Sequence, residues 1–141
     1  VAEGAELLCG GNVPQEKQFA QGWYLQPAVF ADVKPDMRVA REEIFGPVLA
    51  VLPFDTEEEA IELANNSVYG LSGSLWTKDL GRAFRVARAV EAGVISVNSG
   101  HSVHLEMPFG GVKLSGTGRE LGLAVLDHYS EWKSIFINTL P

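Results

Sequence analysis

The chain has 141 residues, 46% of them hydrophobic and 21% charged, a balance that excludes a disordered tail and fits one globular domain. Eighteen acidic residues against eleven basic ones leave a net charge of −7, and the arginines are dispersed, which argues against a phosphate backbone or other nucleic acid as partner. No apolar run approaches the ~20 residues of a membrane-spanning helix and no basic-then-apolar leader is read, so the expected compartment is the cytoplasm.

Residues 1 to 47 are punctuated by Gly4, Gly10, Gly11, Pro14, Gly22, Pro27, Pro35, Gly46 and Pro47, and short strands and turns are expected there. Val48 to Phe54 reads as a buried strand. Thr56 with Glu59 three residues on forms a capping box, and Ala60, Ile61 and Ala64 then share a helical face until about Asn66. Leu71 to Trp76 reads as a second strand. Asp79 is placed to cap the next helix, along which Leu80, Ala83, Phe84, Ala87 and Val90 recur at helical spacing up to Gly93. Val94 to Val97 is a third strand.

Strand, helix, strand, helix, strand with tight connections predicts an α/β fold, an open parallel βαβαβ sheet with flanking helices. A glycine-rich loop follows Asn98, and a second capping box, Thr117 with Glu120, predicts a helix through about Tyr129. Trp132 to Ile137 reads as a strand with no later partner, an edge that something must cover. With the start at Val1, this stray strand suggests a piece of a longer protein.

Several motifs carry less than they promise. Gly116-Thr-Gly-Arg-Glu-Leu-Gly122 has leucine where a dinucleotide fingerprint needs its last glycine, and no strand precedes it. Cys9, the single cysteine, excludes an internal disulfide and a multi-cysteine zinc site; it ends a short apolar run and reads as a small buried residue rather than a nucleophile. His101 and His104 lie three apart near Glu106, but on a loop without a fourth ligand, so no metal is expected. Arg41-Glu-Glu-Ile-Phe-Gly-Pro47 is different, because it places two carboxylates and an aromatic ring beside a rigid turn just before a packed strand, which suits ligand contact.

Four segments, Glu42-Glu-Ile-Phe-Gly-Pro-Val48, Asn66-Ser-Val-Tyr-Gly-Leu71, Gly93-Val-Ile-Ser-Val-Asn98 and Pro108-Phe-Gly-Gly-Val-Lys-Leu-Ser-Gly-Thr-Gly-Arg-Glu120, resemble, in order and spacing, the NAD(P)-dependent aldehyde dehydrogenase superfamily. The resemblance implies the C-terminal portion of that family's subunit, with residues 1–128 part of the catalytic domain and 129–141 an oligomerisation segment. In the family a cysteine thiolate attacks the aldehyde, hydride passes to NAD or NADP, and a glutamate activates water to hydrolyse the thioester. Nucleophile, oxyanion asparagine and general base all fall upstream of the matched region, so no catalytic residue is expected in this chain. Cys9 follows Glu6-Leu-Leu rather than the family's glutamine-glycine context and lies too close to the Glu42–Pro47 motif to be that nucleophile.

By the same resemblance, Glu43 would bind the nicotinamide ribose hydroxyls, Phe45 would flank the nicotinamide ring and Leu71 would add an apolar contact. Asn98, His101, Val103 and Phe109 would line the aldehyde tunnel. The implied partners are an aldehyde, a missing N-terminal cofactor domain and a second copy of the subunit joined through Trp132–Ile137. A noncatalytic assembly module is the alternative reading.

Overall fold

The computed structural model describes residues 1–140, so Pro141, the last residue of the expected oligomerisation segment, lies outside the described residues. The chain divides into two compact units, Val1–Ser67 and Val68–Pro141.

The first unit is built on a three-stranded sheet of β1 (Glu6–Cys9), β2 (Ala28–Ala31) and β3 (Val48–Ala50), with β2 in the middle. β1 runs antiparallel to β2 with a bulge at Leu8, and β3 runs parallel to β2 in the register Ala28↔Val48, Phe30↔Ala50. A one-turn helix, α1 (Arg38–Arg41), precedes β3. The core is small: Ala5, Val33 and Met37 are buried, with Phe30, Val39, Ala40, Ala50 and Leu52 packed against them. After β3 comes α2 (Glu57–Asn65), whose cap is the one expected: Glu59 N–H donates to Thr56 Oγ1 at 3.1 Å and the Glu59 carboxylate accepts from Asp55 N–H at 2.8 Å. Glu57, Glu58 and Glu59 fill the first turn, where the positive end of the helix dipole favours them.

The second unit holds two ladders. β4 (Tyr69–Gly70) pairs antiparallel with β7 (Val112–Lys113), and β5 (Ser72–Leu75) pairs parallel with β6 (Val94–Val97). Between β5 and β6 runs α3 (Leu80–Ala89), capped by Asp79 Oδ1 accepting from Arg82 N–H at 3.1 Å. It buries Ala83, and the β5–α3–β6 unit is the right length for a crossover between parallel strands.

The α/β class holds, with three differences from the sequence expectation. The strands do not form one continuous sheet: β3 pairs with β2, β5 with β6, and no ladder joins β3 to β5 among the described residues. Val48–Phe54, read as buried, is a three-residue strand with Leu49 58% exposed. The helix expected from Thr117 reduces to a 3-10 turn at Leu123–Asp127, because Gly118, Leu121 and Gly122 take left-handed backbone (φ +83°, +60° and +55°) and Glu120 pairs its backbone with Phe109 instead.

Trp132–Ile137 forms no strand ladder, and Trp132 and Phe136 are 102% and 93% exposed. A strand exists only against a neighbour, and none is present among the described residues. Large hydrophobic side chains in both units are likewise exposed, Trp23, Phe45, Leu105 and Leu123 among them. Much of the 46% hydrophobic share therefore lies outside any core.

Candidate functional site

In the first unit, Glu42 and Glu43 follow α1 directly and do different things. Glu42 accepts a two-pronged hydrogen bond from the Arg38 guanidinium, Nε to Oε1 and Nη2 to Oε2, both 3.0 Å. That bond, reinforced by the opposite charge, holds the Glu42 carboxyl below the usual carboxylate range. The neighbouring Glu43 is exposed, and its side chain has no hydrogen bond or ion pair among the described residues. Two residues on, Phe45 is 93% exposed, with φ at +53°, a backbone conformation a bulky residue rarely adopts. Pro47 then hands the chain to β3, its carbonyl accepting from Ala28 N–H at 2.8 Å. An unengaged carboxylate and a bare aromatic plate thus project from a turn anchored to a sheet.

The second unit brings Leu71 and Phe109 together. Both line an open cleft of about 430 Å³, with Ser115, Arg119, His128 and Tyr129 among its other walls. Its floor is held by backbone contacts that only glycine permits: a Cβ on Gly93 would lie 1.7 Å from the Gly110 carbonyl oxygen. Ser115 Oγ accepts from Gly70 N–H at 2.9 Å, and the Arg119 guanidinium donates to the Gly111 and Gly118 carbonyls at 2.8 and 2.6 Å. Phe109 is fixed by reciprocal 2.7 Å backbone bonds with Glu120.

Asn98 is placed elsewhere, at the carboxyl ends of β5 and β6, on a cleft of about 730 Å³ with Trp76, Thr77, Lys78, Leu80, Ala83 and Val97. Such ends are where open parallel sheets bind ligands. Both polar atoms of its side chain, however, are bonded to Thr77: Oδ1 accepts from Thr77 N–H at 2.9 Å and Nδ2 donates to the Thr77 carbonyl at 3.0 Å. His101 and Val103 are exposed on the loop that follows. The His101 carbonyl accepts from Ser96 Oγ at 2.7 Å, its N–H donates to Ser99 Oγ at 3.0 Å, and its ring meets His104 edge-on at 5.1 Å. Among the described residues no group of three or more His, Cys, Asp or Glu is gathered to hold a metal.

Two corrections concern single residues. Cys9 is exposed, not buried, because β1 lies at the edge of its sheet with all four of its residues exposed. Thr77 was not singled out by sequence, although a Thr-x-Asp before a helix and an Asn at a strand end are the signals that it and Asn98 share.

The model for the aldehyde dehydrogenase family matches residues 1–135. The chain is 52% identical over 140 residues to betaine aldehyde dehydrogenase of Rhizobium leguminosarum bv. trifolii, covering 99% of this chain and 28% of that relative. Among solved structures, a point mutant of betaine aldehyde dehydrogenase from Staphylococcus aureus in complex with NAD+ superposes with a TM-score of 0.92 at 44% identity, over 99% of this chain and 28% of that one. An aldehyde dehydrogenase from Mycobacterium tuberculosis complexed with NAD+ gives 0.88 at 45% identity, over 97% and 28%. The chain spans little more than a quarter of the length of the relatives it matches.

Proposed function

The chain belongs to the aldehyde dehydrogenase family, and we propose that it is the C-terminal portion of a larger subunit that oxidises an aldehyde to a carboxylic acid. Water supplies the added oxygen, and the two electrons leave as hydride. NAD or NADP, when bound, supplies the hydride acceptor. NAD+ is the form carried by the solved relatives.

The observation that carries this reading is the Glu43–Phe45 turn. A carboxylate without an internal partner can accept from two ribose hydroxyls, and a projecting phenyl ring restricts the pose of a flat ring beside it and excludes water. In this reading Leu71 adds an apolar contact to the nicotinamide, and the loop from Asn98 through His101 and Val103, together with Phe109, faces the aldehyde. The thiol that attacks the aldehyde, and the base that activates water to release the acid from its thioester, belong to the part of the subunit upstream of these residues. Residues 1–128 contribute to the catalytic domain, and 129–141 join a second copy.

The test is Glu43→Gln in the intact subunit, with betaine aldehyde, the substrate in the relatives' names, assayed first. Loss of the carboxylate should cut kcat/KM for the cofactor by about tenfold, since a charged hydrogen-bond acceptor becomes neutral. The thermal midpoint should not move, and unchanged kinetics would refute the ribose role. The 141-residue chain alone should show no turnover; any thiol-dependent dehydrogenase or esterase activity in it would overturn the assignment of the nucleophile.

The exposed Trp132 and Phe136 support a second reading, that the segment serves assembly alone. Turnover of the intact subunit separates the two, since aldehyde oxidation refutes a purely noncatalytic module, and a monodisperse monomer would remove any assembly role.

A further inference from the structure

We propose that Asn98 is a positioning residue that sets aldehyde specificity without touching the aldehyde, by standing in for a rung of the β5–β6 ladder. The proposal rests on the aldehyde-oxidising reading above and deepens it.

The backbone shows why a surrogate rung is needed. Asn98 N–H donates to the Leu75 carbonyl at 2.7 Å, the last bond of the parallel pair. A parallel ladder that continued would next pair Thr77 N–H with the Asn98 backbone carbonyl. Asn98 instead takes φ at +54°, which turns that carbonyl away and lets the chain leave the sheet. Its side-chain amide, chemically a peptide unit, fills the gap by accepting from Thr77 N–H and donating to the Thr77 carbonyl. The sheet edge keeps both bonds and the loop gains its exit.

The clasp joins two structures of consequence. On one side Thr77 Oγ1 accepts from Asp79 N–H at 3.1 Å, and Asp79 caps α3. On the other begins the loop carrying His101 and Val103, which is tied down again where Phe109 bonds Glu120. Between these ends the Ser96 hydroxyl holds the His101 carbonyl at 2.7 Å, and the angle at which the chain departs from Asn98 sets, with that bond, where His101 and Val103 stand. A misplacement of about 1 Å in a substrate wall can cost on the order of a hundredfold in rate.

Only asparagine meets both demands. Aspartate tolerates left-handed backbone but sets a carboxylate against the Thr77 carbonyl, and glycine tolerates the backbone but has no amide. Thr77→Pro removes the N–H from the other side of the clasp without altering Asn98, whereas Thr77→Val keeps it.

The experiment compares these four variants in the intact subunit by aldehyde kinetics, NAD+ affinity and hydrogen exchange of residues 99–108. Asn98→Asp, Asn98→Gly and Thr77→Pro should each raise KM for the aldehyde about tenfold and change the preference between a small and a bulky aldehyde. They should also speed exchange in the loop and leave NAD+ affinity within about twofold. Thr77→Val, which keeps the clasp N–H and gives up only the Oγ1 bond from Asp79 N–H, should keep the parent's aldehyde KM and loop exchange while lowering the thermal midpoint slightly. Pairing Asn98→Gly with Thr77→Pro should add nothing to either alone.

If the Asn98 variants change KM but Thr77→Pro does not, Asn98 touches the aldehyde directly and the proposal fails. It fails equally if KM and preference hold in these three variants while the thermal midpoint falls, or if NAD+ binding is lost together with the fold. A parent subunit that oxidises no aldehyde refutes the reading of function, while loop exchange in the variants still decides whether the clasp exists.

Discussion

The two units present their proposed ligand contacts in opposite ways. In the first, Glu43 and Phe45 stand free of internal partners on a turn anchored by its neighbours. In the second, Asn98, His101 and Phe109 are each held by hydrogen bonds of backbone or side chain. Residues that grip a common cofactor need unengaged polar and apolar surface, whereas a wall that selects among substrates needs a fixed shape. Substitutions should therefore act on binding in the first unit and on architecture in the second.

The largest test of that contrast is a pair of glycines. Gly93→Ala drives a Cβ against the backbone carbonyl of Gly110, which no side-chain rotation relieves, and should destabilise the subunit by about 3 kcal/mol or more. Gly46, in the turn after Phe45, has only Ile44 at 4.0 Å around an added Cβ, so Gly46→Ala should cost less than about 0.5 kcal/mol. Chemical denaturation of both variants checks the difference; equal losses would show that the first unit's turn is as tightly determined as the second unit's floor.

Next comes Ser115→Ala. Gly70 is buried and its N–H depends on the Ser115 hydroxyl, so removing the hydroxyl strands a donor at a cost of about 1–3 kcal/mol. The same denaturation series should show it, and Leu71, the next residue along, should lose its packing against the cleft, visible as faster hydrogen exchange at residues 69–72.

The two capping boxes show what the sequence could and could not say. Thr56 with Glu59 and Thr117 with Glu120 are equivalent as patterns, yet only the first starts an α-helix. A capping box reports local preference, and at Thr117 three left-handed residues and the Phe109–Glu120 bridge override it. Thr56→Ala should thus cost about 1 kcal/mol and Thr117→Ala almost nothing. β5, α3, β6 and the Asp79 cap were legible for the same reason that Thr56 was, since periodicity and capping are local. The split into two units and the exposure of Leu49 were not, because burial depends on what lies opposite, whereas the lack of a partner for Trp132–Ile137 was. In the site, the Glu42–Pro47 turn was legible as a rigid platform, while the Asn98–Thr77 clasp spans 21 residues and leaves no local trace.

The smallest effect concerns two depressed carboxyls, one in each unit. Glu42 is lowered chiefly by its hydrogen bond from the Arg38 side chain, then by that charge, whereas Asp79 is lowered chiefly by the backbone N–H of Arg82. A carboxyl whose folded value is depressed contributes stability above its unfolded value, near 4, and that contribution is lost as pH falls through the folded value. Both should therefore appear as stability that declines below about pH 4 and is absent from Glu42→Gln and Asp79→Asn respectively. Salt distinguishes them. Both groups are exposed, but an ion pair is screened at about 1 M salt while a cap bonded to a backbone N–H largely persists. The Glu42 contribution should fade with added salt and the Asp79 contribution should remain. Equal salt sensitivity would mean that the α3 cap is held by Arg82 and Arg85 as charges rather than by the helix backbone.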